Sequence, residues 1–305
     1  MKKIILILML FILANLNVHA QNDVQVSNFM FNKLSYNPAF AGSTNTIDLS
    51  VLARQQWIGF KNSPLSQYLN FDSFISKIGG IGVSVINDKL GYEKSVNAKI
   101  CYSYPMRLKM SKKSIISAGV SAGVLNKSLD GTKLIFDDED EDPSFTTLTN
   151  EYKMDLGLGL MYTNQKLTIG VSYTHINQSN NKTNFFSVPR HFYLYSSYIF
   201  EPGEKIDVIP ALFVKSTMYI NQYELNTNVV YAKLFWGGVS YRLNESIIFL
   251  AGFTINKYIK LAYSYDCNIG SIKSYSGGSH EIMILTTFSK YKKSRNYFKS
   301  PRYLI

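Results

Sequence analysis

Alternation of apolar and polar residues with period two is the dominant pattern of the chain after residue 46. Residues 96–104 show it clearly, and residues 154–163 and 167–174 repeat it. Such alternation predicts β-strands with two chemically different faces. The less apolar face carries many Gly, Ser, Thr and Asn residues, which the core face of a soluble β-sandwich would not contain. We therefore expect the apolar face to meet lipid.

Counting such segments predicts an all-β fold, a transmembrane antiparallel β-barrel of about 14 strands. The segments are long enough for tilted strands to cross a bilayer, and no helical period competes over a comparable length. An even number is required when both ends of the barrel lie on the periplasmic side. The predicted strands are 47–57, 66–74, 80–87, 95–104, 114–125, 152–163, 166–174, 190–200, 207–215, 223–231, 233–241, 246–253, 258–266 and 279–288.

The lengths of the connections agree with this topology. The three longest, 126–151, 175–189 and 267–278, all follow odd-numbered strands, whereas the short ones at 164–165 and 201–206 follow even-numbered strands. Outer-membrane barrels have long loops outside and short turns in the periplasm. The pattern therefore predicts a barrel with its N-terminus on the periplasmic side.

The first twenty residues have the form of a secretory signal peptide. A basic start at Lys2 and Lys3 precedes an apolar run, Ile4 to Ala14, which is too short to span a bilayer, and a small-residue cleavage site ends at Ala20. The predicted division of the chain follows: signal peptide 1–20, periplasmic N-terminal segment or plug 21–46, outer-membrane β-barrel 47–288, and basic periplasmic tail 289–305.

Composition supports a barrel and argues against nucleic-acid binding. The net charge is +11, but six of the lysines and arginines lie after residue 289, so much of the surplus is a tail and not a binding face. The chain contains 22 Tyr and 19 Phe, yet no apolar run after residue 20 has the length of a transmembrane helix. Aromatic-rich strands without long apolar runs are typical of transmembrane barrels.

No catalytic, cofactor or metal motif is recognisable. The acidic run 137–142 could offer oxygens to a hard cation, but a solvated outer loop is favoured because the spaced ligands of a calcium loop are missing. His280 and Glu281 are adjacent and should point to opposite faces of one strand. Two unpaired cysteines, Cys101 and Cys267, are favoured over a disulfide because they lie in or beside separate strands. We therefore expect a protein that is not an enzyme and has no cofactor.

A passive porin is the main competing class. A porin should line its lumen with charged residues, whereas predicted inward positions such as Met283 and Leu285 are apolar. This favours a lumen that is at least partly filled. Segment 21–46 is the nearest candidate for a plug or a periplasmic cap.

Eight short motifs in chain order resemble the PorP/SprF family of type IX secretion system membrane proteins, and together they span about residues 25–288. They are FMFN at 29–32, LSYNPAFAGS at 34–43, RQQWIGF at 54–60, GGIGVSVIND at 79–88, DPSF at 142–145, RHFY at 190–193, YSYD at 263–266 and SHEIM at 279–283. The residues that we take as the family signature, with structural roles, are Asn37, Pro38, Phe40, Gly42, Arg54, Trp57, Gly59, Asn87, Asp88, Asp142, Pro143, Arg190, Asp266, His280 and Glu281.

The resemblance implies an outer-membrane barrel of Bacteroidota that works with other type IX secretion components. It also implies a role in the export or surface attachment of large adhesins, including those of gliding members. The implied partners are a secreted adhesin or its C-terminal domain and, for some members, a periplasmic peptidoglycan-binding lipoprotein. We expect loops 126–151 and 175–189 to engage the exported protein, and the N-terminal segment and tail to face the periplasm. The alternative function is an outer-membrane diffusion or uptake channel.

The stretch LSYNPAFAG, residues 34–42, precedes the first strand. Pro38 restricts the backbone and Gly42 permits a positive φ, so the stretch predicts two turns. One interpretation is a chain reversal that feeds the first strand. The other is that Tyr36 and Phe40 wedge the segment into the periplasmic mouth of the barrel.

Overall fold

A computed structural model describes residues 23–44, 46–108, 114–133, 148–178, 186, 188–217 and 220–289. Fourteen strands form one closed antiparallel barrel in which each strand pairs with its sequence neighbours and the last pairs with the first. The predicted fold class is therefore confirmed. The strands are β1 Thr46–Gln55, β2 Leu65–Ile75, β3 Gly79–Leu90, β4 Glu93–Arg107, β5 Ile115–Asp130, β6 Leu148–Thr163, β7 Leu167–Thr174, β8 His191–Tyr198, β9 Ile206–Ser216, β10 Asn221–Tyr231, β11 Phe235–Arg242, β12 Ser246–Thr254, β13 Ile259–Asn268 and β14 Ser279–Ser289.

Side chains alternate between the lumen and the outside along every strand. In β10 the side chains of Tyr223, Leu225 and Val229 are exposed, while Glu224 and Asn226 are buried. Apolar residues thus cover the outer surface of the barrel, whereas its interior is lined by polar residues together with a smaller set of buried apolar ones. Closure leaves no strand edge to present unpaired backbone groups to lipid, which is the condition for crossing a bilayer with strands.

The two ends of the barrel differ in their connections. We call the end reached after odd-numbered strands the long-loop end, because it carries connections 56–64, 131–147, 175–190 and 269–278. The opposite end, the short-turn end, carries connections such as 76–78, 164–166 and 232–234. The loop predicted at 126–151 is shorter than expected because β5 and β6 continue pairing to Asp130 and Leu148. The acidic run 137–142 lies outside the described residues.

The segment before β1 lies inside the barrel. Residues 23–44, which we call the plug, are almost all buried and run from the long-loop end to the start of β1 at the short-turn end. The plug contains one helical turn, α1 (Lys33–Tyr36), and a 3-10 turn at Pro38–Phe40. The helical turn is part of the buried plug, so its apolar residues help to fill the lumen. Of the helices among the described residues, none is long and apolar enough to cross a membrane.

The two cysteines are not bonded to each other. Cys101 of β4 is buried, and Cys267 of β13 is half-buried; both thiols are free. The favoured interpretation of unpaired cysteines is confirmed, although only one of them is fully buried.

Candidate functional site

The apolar core of the protein is the contact between the plug and the inner wall of the barrel. Phe29 of the plug stacks on Phe213 with ring centroids 4.8 Å apart and meets the edge of Tyr195 at 6.1 Å. Phe31 packs against Trp236 at 5.0 Å. Aromatic side chains of this size contribute strongly to stability when they are buried. The plug therefore fills the space that would form the pore of an open channel.

Inward-facing glycines of the barrel wall allow the plug to approach the strands closely. A Cβ atom at Gly119 would lie 2.3 Å from the backbone nitrogen of Ala39, and one at Gly80 would lie 1.9 Å from the carbonyl oxygen of Ala41. Any side chain at these positions would collide with plug backbone. This explains why the less apolar face of the predicted strands contains so many glycines.

Five charged side chains of the barrel form a buried network at the long-loop end, which we call the arginine network. Arg54 binds Asp266 at 2.8 Å and approaches Glu281 at 3.4 Å. Arg242 binds both Asp266 and Glu224 at 2.9 Å. All five side chains are at least 97% buried, so each charge depends on its partners and not on water.

The plug enters this network at Ser27 and Asn28. The Glu281 carboxylate accepts the backbone N–H of Ser27 at 2.8 Å and that of Asn28 at 2.7 Å. The Ser27 hydroxyl donates to Asp266 at 2.8 Å and accepts from Arg54 at 2.9 Å. Hydrogen bonds between ionised groups and backbone N–H groups are among the strongest in proteins. The network is thus shared between plug and wall, and removing the plug would leave carboxylate oxygens in the lumen without these donors.

A second anchor holds the start of the plug, and we call it the histidine anchor. The Asp23 backbone N–H donates to His191 Nε2 at 3.0 Å, and the Asp23 carboxylate accepts from the Tyr193 hydroxyl. His175 Nε2 lies 3.7 Å from the same carboxylate, and Lys215 donates to the Asp23 carbonyl oxygen at 2.9 Å. The first described residue of the plug is therefore tied to the ends of β7, β8 and β9.

His175 of this anchor lies between two carboxylates, those of Asp23 and Asp155. His175 Nδ1 binds Asp155 at 2.8 Å; burial alone would lower the pKa of His175, but hydrogen bonds to Asp155 and Asp23 and the charges of both raise it to about 9. His175 is therefore a cation between two carboxylates at neutral pH. One ligand atom from each of Asp23, His175 and His191 lies within 4.8 Å of the others. In this arrangement those atoms are occupied by hydrogen bonds and an ion pair between plug and wall.

The part of the plug nearest β1 is held by the Asn37 side chain and by the backbone N–H of Gly42. The Asn37 side chain donates to the carbonyl oxygens of Leu160 and Val171 at 3.2 and 3.1 Å, and its own oxygen accepts the N–H of Ala39 at 2.9 Å. Asn37 thereby caps the 3-10 turn that begins at Pro38. At the short-turn end the Gly42 N–H, in a residue with a φ of 57°, donates to Asp72 at 2.9 Å.

The N-terminal segment was predicted as a plug or a periplasmic segment, and its described residues 23–44 lie inside the barrel as a plug. Asp23 lies at the long-loop end, because the histidine anchor and the arginine network bind the start of the plug there. The LSYNPAFAG stretch lies inside the lumen. Tyr36 packs on Phe213 at 5.0 Å, and Phe40 meets the edge of Tyr195 at 6.1 Å.

The remaining signature residues lie outside the lumen or near its rim. Trp57 and Gly59 have positive φ angles in the loop after β1, where the Trp57 N–H donates to Ser279. Asp88 accepts from Ser66 at 2.6 Å. The others are Asn87, which donates to Gln67 on the outer face, Arg190, which donates to the Gln178 carbonyl oxygen, and His280, which faces outward and binds the Tyr263 hydroxyl. Asp142 and Pro143 lie outside the described residues.

Arg54, Asp266 and Glu281, taken from three separate motifs, therefore meet at one point, and His280 and Glu281 point to opposite faces as predicted. Sequence reasoning missed Ser27, Arg242 and Glu224. Arg242 and Glu224 could have been found from their inward positions on β11 and β10, because charged residues on the inner face of a barrel need partners of opposite charge. Ser27 carries no such signal.

A closed barrel with apolar side chains facing lipid and a charged lumen filled by its own N-terminal segment defines the class of protein: a plugged outer-membrane β-barrel. The chain belongs to the family described as type IX secretion system membrane protein PorP/SprF, whose sequence model matches residues 18–285. It is thus a membrane component of type IX secretion.

Solved structures with a similar fold are also outer-membrane barrels. The CymD monoaromatic hydrocarbon channel aligns with a TM-score of 0.53 at 14% identity, covering 90% of this chain and 95% of its own. The toluene transporter TbuX of Ralstonia pickettii aligns at 0.52 and 11% identity, covering 84% and 92%. Omp33 of Acinetobacter baumannii aligns at 0.49 and 10% identity, covering 81% and 99%. At these identities the likeness concerns the fold alone. A search of curated protein sequences gave no significant match.

Proposed function

We propose that the protein is a non-enzymatic component of the type IX secretion and gliding machinery of a Bacteroidota bacterium, exported by a signal peptide at 1–20. In this role it supports the export or surface attachment of large secreted adhesins. The observation that carries the proposal is that Arg54, Asp266 and Glu281, from three family motifs, fasten the plug inside the barrel. The family signature thus maintains a closed barrel.

A fastened plug favours a docking platform over a conduit. The plug contacts the wall along its whole course, from His191 at the long-loop end through Ser172, which donates to the Tyr36 carbonyl oxygen, to Asp72 at the short-turn end. A channel would have to break all these contacts to open. A platform uses the barrel to hold its loops in place on the membrane, which requires a rigid interior.

The hairpin of β5 and β6 is the surface that we propose for the exported partner. The two strands pair as far as Asp130 and Leu148, whereas β7 ends at Thr174, opposite the middle of β6. The part of β6 beyond the end of β7 presents Leu148, Tyr152 and Met154 on its outer face, and the Tyr152 side chain is 71% exposed. Exposed tyrosine on a projecting hairpin is typical of protein-binding surfaces. The expected occupant is the adhesin or its C-terminal domain.

On the opposite side, the short-turn end and the tail 289–305 are proposed to meet other secretion components. A periplasmic peptidoglycan-binding lipoprotein, as found with some family members, is the proposed partner there.

The test combines gene deletion with affinity purification from the native outer membrane. We expect deletion to abolish export or surface retention of at least one large adhesin. We expect Tyr152→Ala to reduce the adhesin that co-purifies with the barrel, since one central tyrosine contributes about 2 kcal/mol or more to an interface. The matched control is Tyr275→Ala, because Tyr275 is 74% exposed in another loop of the same end. If every large adhesin is still exported and retained without the gene, the proposal is wrong.

The second candidate is a diffusion or uptake channel. It is supported by the likeness in fold to a monoaromatic hydrocarbon channel and a toluene transporter. This candidate requires a stable, solute-permeable conductance of the purified protein in planar bilayers. An electrically silent barrel that still binds an adhesin would reject it.

A further inference from the structure

The short turns of the barrel share a two-residue pattern that the function proposed above does not explain. In each of the five short turns that the structure describes in full, one exposed lysine is followed directly by an apolar residue. We call this set the lysine ring. Its members are Lys77–Ile78, Lys166–Leu167, Lys205–Ile206, Lys233–Leu234 and Lys257–Tyr258.

The apolar member of each pair belongs to the lipid-facing surface. Ile78 and Leu234 are 51% and 50% exposed, although both are large apolar residues. Leu167 and Ile206 are the first outward-facing positions of β7 and β9. Tyr258 packs against Phe288, which is exposed on β14, with ring centroids 6.0 Å apart. These residues therefore mark the edge of the hydrocarbon layer.

The lysines lie one residue beyond that edge, which is the depth of the lipid headgroups. Lysine can lay its aliphatic stem along apolar surface and place its ammonium group among polar headgroups. Within the same five turns the only carboxylates are Glu201 and Glu204, both in connection 199–205. Lys166 approaches Glu201 at 3.3 Å, but both side chains are exposed, and such pairs contribute little. The ring therefore carries a net positive charge.

We propose that the lysine ring binds the phosphate groups of anionic phospholipids in the leaflet at the short-turn end. Positive groups near an anionic lipid surface attract it, and several act together. A lipid leaflet also fits the distribution of the lysines better than a protein does. The five turns lie around the barrel circumference between β2 and β13, whereas a protein partner would contact one side. Binding of this kind fixes the height of the barrel in the membrane.

The test uses the full-length protein in nanodiscs that contain equal amounts of phosphatidylglycerol and phosphatidylethanolamine. Lipids retained after transfer to mild detergent are counted by native mass spectrometry. We expect the wild type to retain phosphatidylglycerol over phosphatidylethanolamine by about threefold or more, given that one lysine near an anionic surface changes partitioning by roughly fivefold. Because the attraction is electrostatic, 0.5 M NaCl should reduce the preference.

Two variants with equal loss of charge separate a local site from a general charge effect. The first replaces four ring lysines with glutamine, and the second replaces four exposed lysines of the long-loop end: Lys77, Lys205, Lys233 and Lys257 against Lys61, Lys89, Lys94 and Lys273. Lys166 is left in place because of its contact with Glu201. We expect the first variant to lose the lipid preference and the second to keep it.

Three results would overturn the proposal. One is the absence of a lipid preference in the wild type, a result that does not depend on whether any variant folds. Another is an equal loss of preference in both variants. The third is an unchanged preference in the first variant; loss of a periplasmic protein that co-purifies with the wild type from native membranes would then assign the ring to a protein partner.

Discussion

Glu281 of the last strand accepts the backbone N–H of Ser27 at 2.8 Å, although the two residues are 254 positions apart. This contact joins the end of the barrel to the plug that precedes its first strand. Glu281 thereby has two physical roles. Its negative charge compensates the arginines of the network, and its carboxylate accepts hydrogen bonds from the backbone of the plug. If this arrangement holds the plug, changes at its contacts should have distinct effects.

Replacing Glu281 with alanine should destabilise the protein strongly. The change leaves Arg54 with one carboxylate fewer and the N–H groups of Ser27 and Asn28 without their acceptor. Breaking a buried ion pair typically costs about 3–5 kcal/mol. Urea unfolding followed by heat-modifiable gel mobility measures the loss. His280→Ala is the control, since that neighbour faces outward; equal losses in both variants would contradict a role of the network.

A methyl group at Gly119 should displace the plug. Gly119→Ala brings a Cβ atom to within 2.3 Å of the Ala39 nitrogen and 2.5 Å of the Pro38 carbonyl carbon, and these backbone atoms cannot move aside as a flexible side chain could. We expect the barrel to fold but residues 23–44 to become sensitive to protease, as mass spectrometry of the digest would show. Gly237→Ala is the matched control because its nearest neighbour atom would lie at 3.6 Å, an ordinary contact. A protected plug in Gly119→Ala would disprove the tight fit.

The direction of the plug predicts which of its ends is accessible from outside the cell. We expect a membrane-impermeant maleimide to label Val24→Cys on intact cells and to leave Ser43→Cys unlabelled, both in a background with Cys101 and Cys267 replaced by serine. The physical reason is that long loops face outward in outer-membrane barrels and Asp23 is bound at that end. The reverse labelling pattern would show that the barrel has the opposite orientation.

The histidine anchor should loosen at alkaline pH. A group whose pKa is raised on folding contributes stability that is complete below its ordinary pKa, about 6.5, and lost as the pH rises through its folded value. For His175 that value is about 9, so its ion pairs with Asp155 and Asp23 should weaken between pH 8 and 10. The groups facing His175 are these two carboxylates, His191 and, through Asp23, Lys215.

The measurement is the protease sensitivity of the plug start as a function of pH. We expect cleavage near Asp23 to increase from pH 8 to 10 in the wild type and to increase less in His175→Gln, where the cation between Asp23 and Asp155 is missing at every pH. A wild-type profile that stays flat over this range, or an identical rise in the variant, would show that another group controls the anchor.

Local pattern alone was enough to predict the barrel. Each strand shows its two faces through alternation over about ten residues, so all fourteen strands could be located without knowledge of their partners. Boundaries failed where pairing continued beyond the apolar segment, as at Asp130 and Leu148, because hydrogen bonds between β5 and β6 extend those strands into a polar region.

The motifs also identified Arg54, Asp266 and Glu281, but the sequence did not show that these three side chains contact one another. Their separation along the chain exceeds 200 residues for Arg54 and Asp266, and only the closure of β1 on β14 brings them together. The sequence did not reveal the roles of Arg242 and Glu224, because a charged residue on one strand does not indicate which residue of another strand it will bind. Ser27 was missed because its role depends on its backbone N–H as much as on its hydroxyl.

For the LSYNPAFAG stretch, the sequence by itself determined the local turns: Pro38 begins the 3-10 turn and Gly42 takes a positive φ. Only the tertiary structure decided that these turns lie inside the lumen, that inward glycines make room for them, and that the plug starts at the long-loop end. The physical reason is that turn geometry depends on neighbouring residues, whereas the place of a segment depends on buried charges and close contacts supplied by distant strands.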